Sequence, residues 1–141
     1  MDQIFSKINF ITNGEGFTNI TNDLNLFIQT NNFHSGIINL TSLHTSCSLT
    51  INENADPNVL KDLKKFMQSI VPHNCYSSLS KNSEEIYYEH YQEGVDDMPA
   101  HIKTALSNTN LSLSFQKGKI ILGTWQAIYL WEHRISQKKE V

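Results

Sequence analysis

His90-Tyr91-Gln92-Glu93-Gly94-Val95-Asp96-Asp97-Met98-Pro99-Ala100-His101 sets two histidines around three carboxylates, a glycine and a proline. Gly94 permits a tight backbone turn. Asp97 suits a helix cap, and Pro99 is tolerated in a first turn because the amide donor there is unused. Met98, Ile102, Ala105 and Leu106 then follow helical spacing. The stretch therefore predicts a loop or strand end carrying His90, followed by a short helix with His101 one turn on from Asp97. Histidine and aspartate converging at such a junction point to a site rather than to core.

Upstream, Asp56-Pro57 opens the clearest helix, with Asp56 as cap and Pro57 in the first helical position. Val59, Leu60, Leu63, Phe66, Met67 and Ile70 make its apolar stripe and are expected in the core. Lys61, Asp62, Lys64 and Lys65 make its wet face, and Pro72 ends it. Residues 73–89 are polar and irregular, which predicts a long mobile insertion leading into the site. Near the N-terminus, residues 3–12 alternate as a strand and Asn13-Gly14-Glu15-Gly16 is turn chemistry. Thr18 or Thr21 then caps a helix bearing Ile20, Leu24, Phe27 and Ile28.

Residues 36–51 predict two strands or one bent strand. If it is unbroken, His44, Ser46, Ser48, Thr50 and Asn52 share a polar face, and Thr45, Cys47, Leu49 and Ile51 face the core. That polar face is either a solvated edge or the floor of a site, with His44 as ligand or base. Downstream, Leu111, Leu113 and Phe115 alternate as a strand, Lys117-Gly118 predicts a hairpin, and Ile120 to Arg134 returns as one long strand. Gln126, Glu132 and Arg134 are polar on an otherwise apolar strand. Buried polar groups cost a few kcal/mol unless paired, so these line a pocket or an interface, or the strand end is exposed. Residues 136–141 read as a frayed tail.

The 141 residues fit one α+β domain, residues 1–141, with long, mostly antiparallel strands and about three helices. Eleven basic against 14 acidic residues, a net of −3, leave no basic stripe for nucleic acid. No apolar run approaches the roughly 18 residues of a membrane span, and no basic n-region precedes an apolar core. The expectation is a cytoplasmic protein. Cys47 and Cys75 lack CxxC spacing and read as free thiols. His44, His90 and His101 are the candidate metal ligands, with Glu93, Asp96, Asp97 and Glu132 as acidic partners. Imidazole with carboxylate suits zinc, and also iron, nickel or manganese.

Three blocks carry a resemblance: His44 to Asn54, Glu93 to Lys103, and Gly118 with Gly123-Thr124-Trp125-Gln126-Ala127-Ile128. In their order they resemble the YjbQ family, from about residue 3 to about 135. The resemblance implies a distorted β-sandwich and a homotrimer, with a metal at a histidine cluster. It also implies a secondary thiamine-phosphate synthase activity. Carried over, it matches His44, Asn52, Glu53, His90, Asp97, His101, Gln126, Glu132 and Arg134 to family positions. In the enzyme reading His44, His90 and His101 hold the metal, Glu53 or Glu132 is the catalytic proton acceptor, Arg134 or Lys103 pairs with phosphate oxygens, and Asn52, Asp97 and Gln126 are further substrate contacts. The expected cofactor is a divalent metal such as zinc, and the expected partner a small phosphorylated metabolite. Two functions follow: a metal-dependent transferase or hydrolase on that metabolite, or a non-catalytic metabolite- or metal-binding homotrimer. Family members often continue past the position of Arg134 with a second arginine, which the tail here lacks.

Overall fold

The computed structural model describes residues 1–80, 82–134 and 138–141, the last segment by backbone alone at 138–140. Its elements run β1 (Asn9–Ile11), β2 (Gly16–Asn19), α1 (Thr21–Thr30), β3 (Ser35–Thr41), β4 (Cys47–Glu53), α2 (Pro57–Ile70), β5 (Cys75–Ser77), β6 (Glu85–Tyr87), α3 (Asp97–Leu106), β7 (Asn110–Gln116), β8 (Lys119–Ile120), β9 (Gln126–Glu132) and β10 (Lys138–Glu140). Two three-stranded sheets, β2-β9-β4 and β3-β7-β8, carry the fold, and every strand pairing among the described residues is antiparallel. Ile20, Leu24 and Ile28 of the α1 region, Leu40, Leu49, Phe115, Ile128 and Leu130 form one core cluster. This is the α+β architecture the alternating strands and amphipathic helices predict.

Local chemistry explains several boundaries. Asp56 accepts a hydrogen bond from the Asn58 backbone N–H at 2.9 Å and Pro57 opens α2, as expected. Lys117 and Gly118 have φ of 53° and 72°, the left-handed pair that a two-residue hairpin needs between β7 and β8. At α1 neither threonine caps. Asn19 Oδ1 accepts from the Thr21 N–H at 3.1 Å, and Thr21 Oγ1 instead accepts from the Ile128 N–H at 2.9 Å, tying the helix to β9.

Four expectations are corrected. The return after the hairpin is two strands. A turn in which the Gly123 N–H donates to the Gln126 side chain at 2.7 Å, and the Gln126 N–H to the Gly123 carbonyl at 3.1 Å, carries the chain from one sheet to the other. Residues 73–89 hold the β5–β6 hairpin instead of an irregular insertion. Lys138–Glu140 pairs with β1, so that part of the tail is not frayed, while Ser136 and Gln137 lie outside the described residues. The apolar stripe of α2 is not core: no residue of the helix is fully buried, and Phe66 is 63 % exposed.

Of the two forms expected over residues 36–51, the two-strand form is present: β3 and β4 are separate, with a break between Thr41 and Cys47, so His44 and Ser46 precede β4 and the shared polar face of one unbroken strand does not form. Ser46 and Ser48 are buried, neither solvated nor open to a site. Ser48 Oγ lies 2.8 Å from His133 Nε2, which satisfies the buried hydroxyl.

Candidate metal centre

The backbone turn at Gly94 starts the site. Its φ is +116°, and a Cβ there would stand 3.0 Å from Asp96 Oδ1, so only glycine fits without strain. Asp96 occupies the cap position of α3 but makes no side-chain cap bond. Its carboxylate faces Arg134, with Nε to Oδ2 at 3.5 Å. The helix therefore begins one residue earlier than a capping Asp97 would place it. Asp97 is the first helical residue, and its side chain turns to the site.

Asp97 is the hub. Its side chain is 2 % exposed, and Oδ2 lies 2.6 Å from His90 Nε2 and 3.2 Å from His101 Nε2. Its other oxygen, Oδ1, accepts from Arg134 Nη1 at 2.7 Å. Helical geometry makes the His101 contact, because residues four apart share a face. Burial alone would raise the Asp97 pKa. The His90 hydrogen bond and the positive charges of Arg134 and His101 outweigh it, with a smaller contribution from a hydrogen bond to Glu93, and hold the carboxyl below its ordinary value.

Among the described residues, His90, Asp97 and His101 are the three groups whose ligand atoms converge, all within 4.8 Å of one another. His101 Nδ1 lies 3.1 Å from the Thr45 carbonyl oxygen. A carbonyl only accepts, so Nδ1 carries the proton in that bond. Nε2 is then the nitrogen left to bind a cation, and a carbonyl held on the far nitrogen is the usual orientation device for a metal-ligating imidazole. The donor set of two imidazoles and a carboxylate suits zinc or another divalent transition ion.

His44 is outside this group. Its Nδ1 lies 3.0 Å from Ser46 Oγ, and it shares with His101 the lining of a separate pocket of about 620 Å³. Asp97, expected as a substrate contact, takes the third position instead.

Arg134 sits at the site but is already engaged. Besides both aspartates, Nη2 donates to the Glu93 carbonyl at 2.7 Å, and its backbone N–H donates to Glu132 Oε1 at 3.0 Å. Glu132 is fully buried, and its Oε2 accepts from Thr12 Oγ1 at 2.8 Å. It supports the backbone that presents Arg134.

Four expected site residues lie elsewhere. In the β4–β9 register Cys47 faces Glu132 while Glu53 faces Gln126, so Glu53 and Glu132 occupy opposite ends of the pair. Six residues of strand separate them by roughly 20 Å. They are not two bases of one site within a chain. Asn52 and Gln126 share the far end with Glu53, where Asn52 Oδ1 accepts from the Glu53 N–H at 2.8 Å. Lys103 is buried, and its Nζ meets Glu15 Oε1 at 2.6 Å, away from any phosphate role. Glu15 also accepts from Gln68 Nε2 at 3.0 Å through Oε2, and its carbonyl accepts from Lys64 Nζ at 2.9 Å. Sequence reasoning missed Glu15 altogether, since a glutamate between two glycines of a turn carries no signal of a partner on α3.

The chain belongs to the YjbQ family of uncharacterised proteins, matching the description UPF0047 protein YjbQ-like over residues 6–141. It is similar to the UPF0047 protein YjbQ of Escherichia coli O157:H7, at 43 % identity over 85 % of this chain and 80 % of that protein. A UPF0047 protein of Synechocystis is 39 % identical over 87 % of this chain and 77 % of its own. Among solved structures, an uncharacterised YjbQ/UPF0047 protein from Clostridium acetobutylicum superposes with a TM-score of 0.80 at 26 % identity, covering 96 % and 95 % of the two chains. A conserved hypothetical protein from Thermus thermophilus gives 0.77 at 29 % identity, with the same coverage.

Proposed function

We propose that this protein is a metal-dependent enzyme acting on a phosphorylated small molecule, with His90, Asp97 and His101 as the ligands of a divalent ion such as zinc. The observation that carries this is the orientation of His101, proton on Nδ1 toward Thr45 and Nε2 toward the Asp97 oxygen that His90 also faces. Bound there, the ion supplies Lewis acidity toward a phosphate oxygen or a water. Arg134 supplies fixed positive charge beside it. Each of its terminal nitrogens keeps a second N–H beyond its contact with Asp97 or Glu93, available to a substrate oxygen. Asp97 holds this guanidinium in place while its other oxygen serves the histidines. The thiamine-phosphate synthase activity implied by the resemblance is proposed as incidental, because a pyrophosphate leaving group is usually served by magnesium and carboxylates.

Metal content of protein purified without a histidine tag or chelator tests the proposal. Near-stoichiometric metal in the wild type, lost in His90→Ala with the fold intact, is the expected result. No metal in either protein would overturn it, and so would metal retained fully in the variant.

One observation favours a second reading, a non-catalytic binding homotrimer. Phe66 and Ile70 on the α2 stripe are 63 % and 50 % exposed, apolar surface that a second copy would cover. If a second copy covers it, sedimentation velocity will show a trimer mass that Phe66→Glu reduces to the monomer. A wild-type monomer would count against any assembly.

A further inference from the structure

Beside the candidate metal centre runs a groove of about 1000 Å³, walled by the end of α2, the β5–β6 hairpin and one face of α3. Its surface is mainly apolar and aromatic, with Ile70, Val71, Tyr76, Tyr88, Met98 and Ile102 among its walls. Two features make it a built recess. The Tyr88 hydroxyl donates to the Pro72 carbonyl at 2.9 Å, which fixes that ring between the hairpin and the end of α2. The Tyr76 ring lies against it, centroids 5.7 Å apart and tilted by 32°. Met98 adds a polarizable thioether, which packs well against ring edges.

His90 belongs to both places. It lines the groove, and its Nε2 contacts Asp97 in the candidate metal centre. His90 is the link between them: the groove ends at its ring, and Asp97, which its Nε2 contacts, also holds Arg134. Glu89 also lines the groove, so a second anionic group on the buried part would meet a like charge.

We infer that the groove is the specificity pocket of this site, and that the substrate is an anionic phosphate-type group attached to an uncharged aromatic ring. This rests on the proposed phosphate chemistry and adds the part of the molecule that the metal and Arg134 do not recognise. Pockets of this kind combine apolar walls with a few polar groups at one end, and tyrosine faces favour flat rings over branched aliphatic chains.

Two phosphonates separate the ring from the anion, because their C–P bonds resist hydrolysis. Calorimetry on the metal-supplemented full chain compares phenylphosphonate with methylphosphonate. The expected result is phenylphosphonate binding about tenfold more tightly, the effect of burying roughly one ring face. Tyr76→Ala, an exposed position on a short strand, is expected to bring that ratio close to unity while methylphosphonate still binds. Tyr76→Ala/Ile86→Ala provides the same contrast should the single change be too mild. Equal affinity for both phosphonates in the wild type would overturn the specificity pocket and leave the phosphate proposal standing. Binding of neither would overturn both. A tenfold ratio unchanged in both variants would place the ring elsewhere and overturn the pocket. A drop in oligomeric mass caused by the groove variants would overturn it too, assigning the groove to a second copy of the chain.

Discussion

Lys103→Ala is expected to destabilise the domain by about 3–5 kcal/mol, the scale for breaking a buried ion pair from one side. The Lys103 side chain is 1 % exposed, and its ammonium meets Glu15 at 2.6 Å. Glu15 in turn binds Lys64 and Gln68 of α2, so this one residue links the turn before β2 to both α2 and α3. The alanine removes the counter-charge and empties the space of a four-carbon stem, and the two effects are separable. Lys103→Met keeps most of the stem and loses only the charge. Lys103→Met with Glu15→Gln removes both charges and is expected to recover part of the loss, since paired removal spares the cost of a lone buried charge. Urea unfolding of the four proteins, compared at constant slope, measures each step. A Lys103→Ala stability within about 1 kcal/mol of the wild type would mean that the lysine points to solvent and that α3 is held by other contacts.

The same lysine shows where the sequence stops being informative. Lys103 lies near the end of a short amphipathic helix, a place where a lysine is normally solvated or free for a ligand. What buries it is a partner 88 residues earlier in the chain, and no local pattern encodes that distance. Glu53 and Glu132 fail for a related reason. Each is correctly marked as unusual by type, but antiparallel register sets them at opposite ends of β4 and β9. Shared parity of Ser46 and Ser48 predicts a solvated edge or a site floor, whereas Ser48 is covered and paired with His133 from the chain beyond β9. Where geometry is local, the outcome is different. The four-residue spacing of Asp97 and His101 becomes a shared helix face, the Asp56-Pro57 pair becomes the start of α2, and Lys117-Gly118 becomes a hairpin. The heart of the site is thus visible in one twelve-residue stretch, and Arg134, arriving from the other end of the chain, is placed by the sheet.

Asp97→Asn is expected to abolish metal retention and, with chelator present, to destabilise the protein by about 2–4 kcal/mol at neutral pH. The side chain keeps its shape and loses its charge. Arg134 then retains Asp96 and the Glu93 carbonyl but not its shortest carboxylate contact, and its guanidinium is only partly solvated. The pH dependence distinguishes lost charge from a mere packing fault. The folded-state pKa of Asp97 is depressed, so its stabilising contribution is complete above the unfolded value, about 3.9, and disappears as pH falls through the lower folded value. The wild type therefore binds its proton late on acidification and loses this contribution in strongly acid solution, while the asparagine variant has nothing there to titrate. The stability gap between the two, followed by urea unfolding in chelator, is expected to hold from neutral pH down to about pH 4 and to close below it. A gap that stays constant down to the acid limit would show that the carboxylate charge contributes nothing to the fold. Asp97 would then be holding the histidines and Arg134 by shape alone, and the case for a charged ligand facing a cation would lose its support.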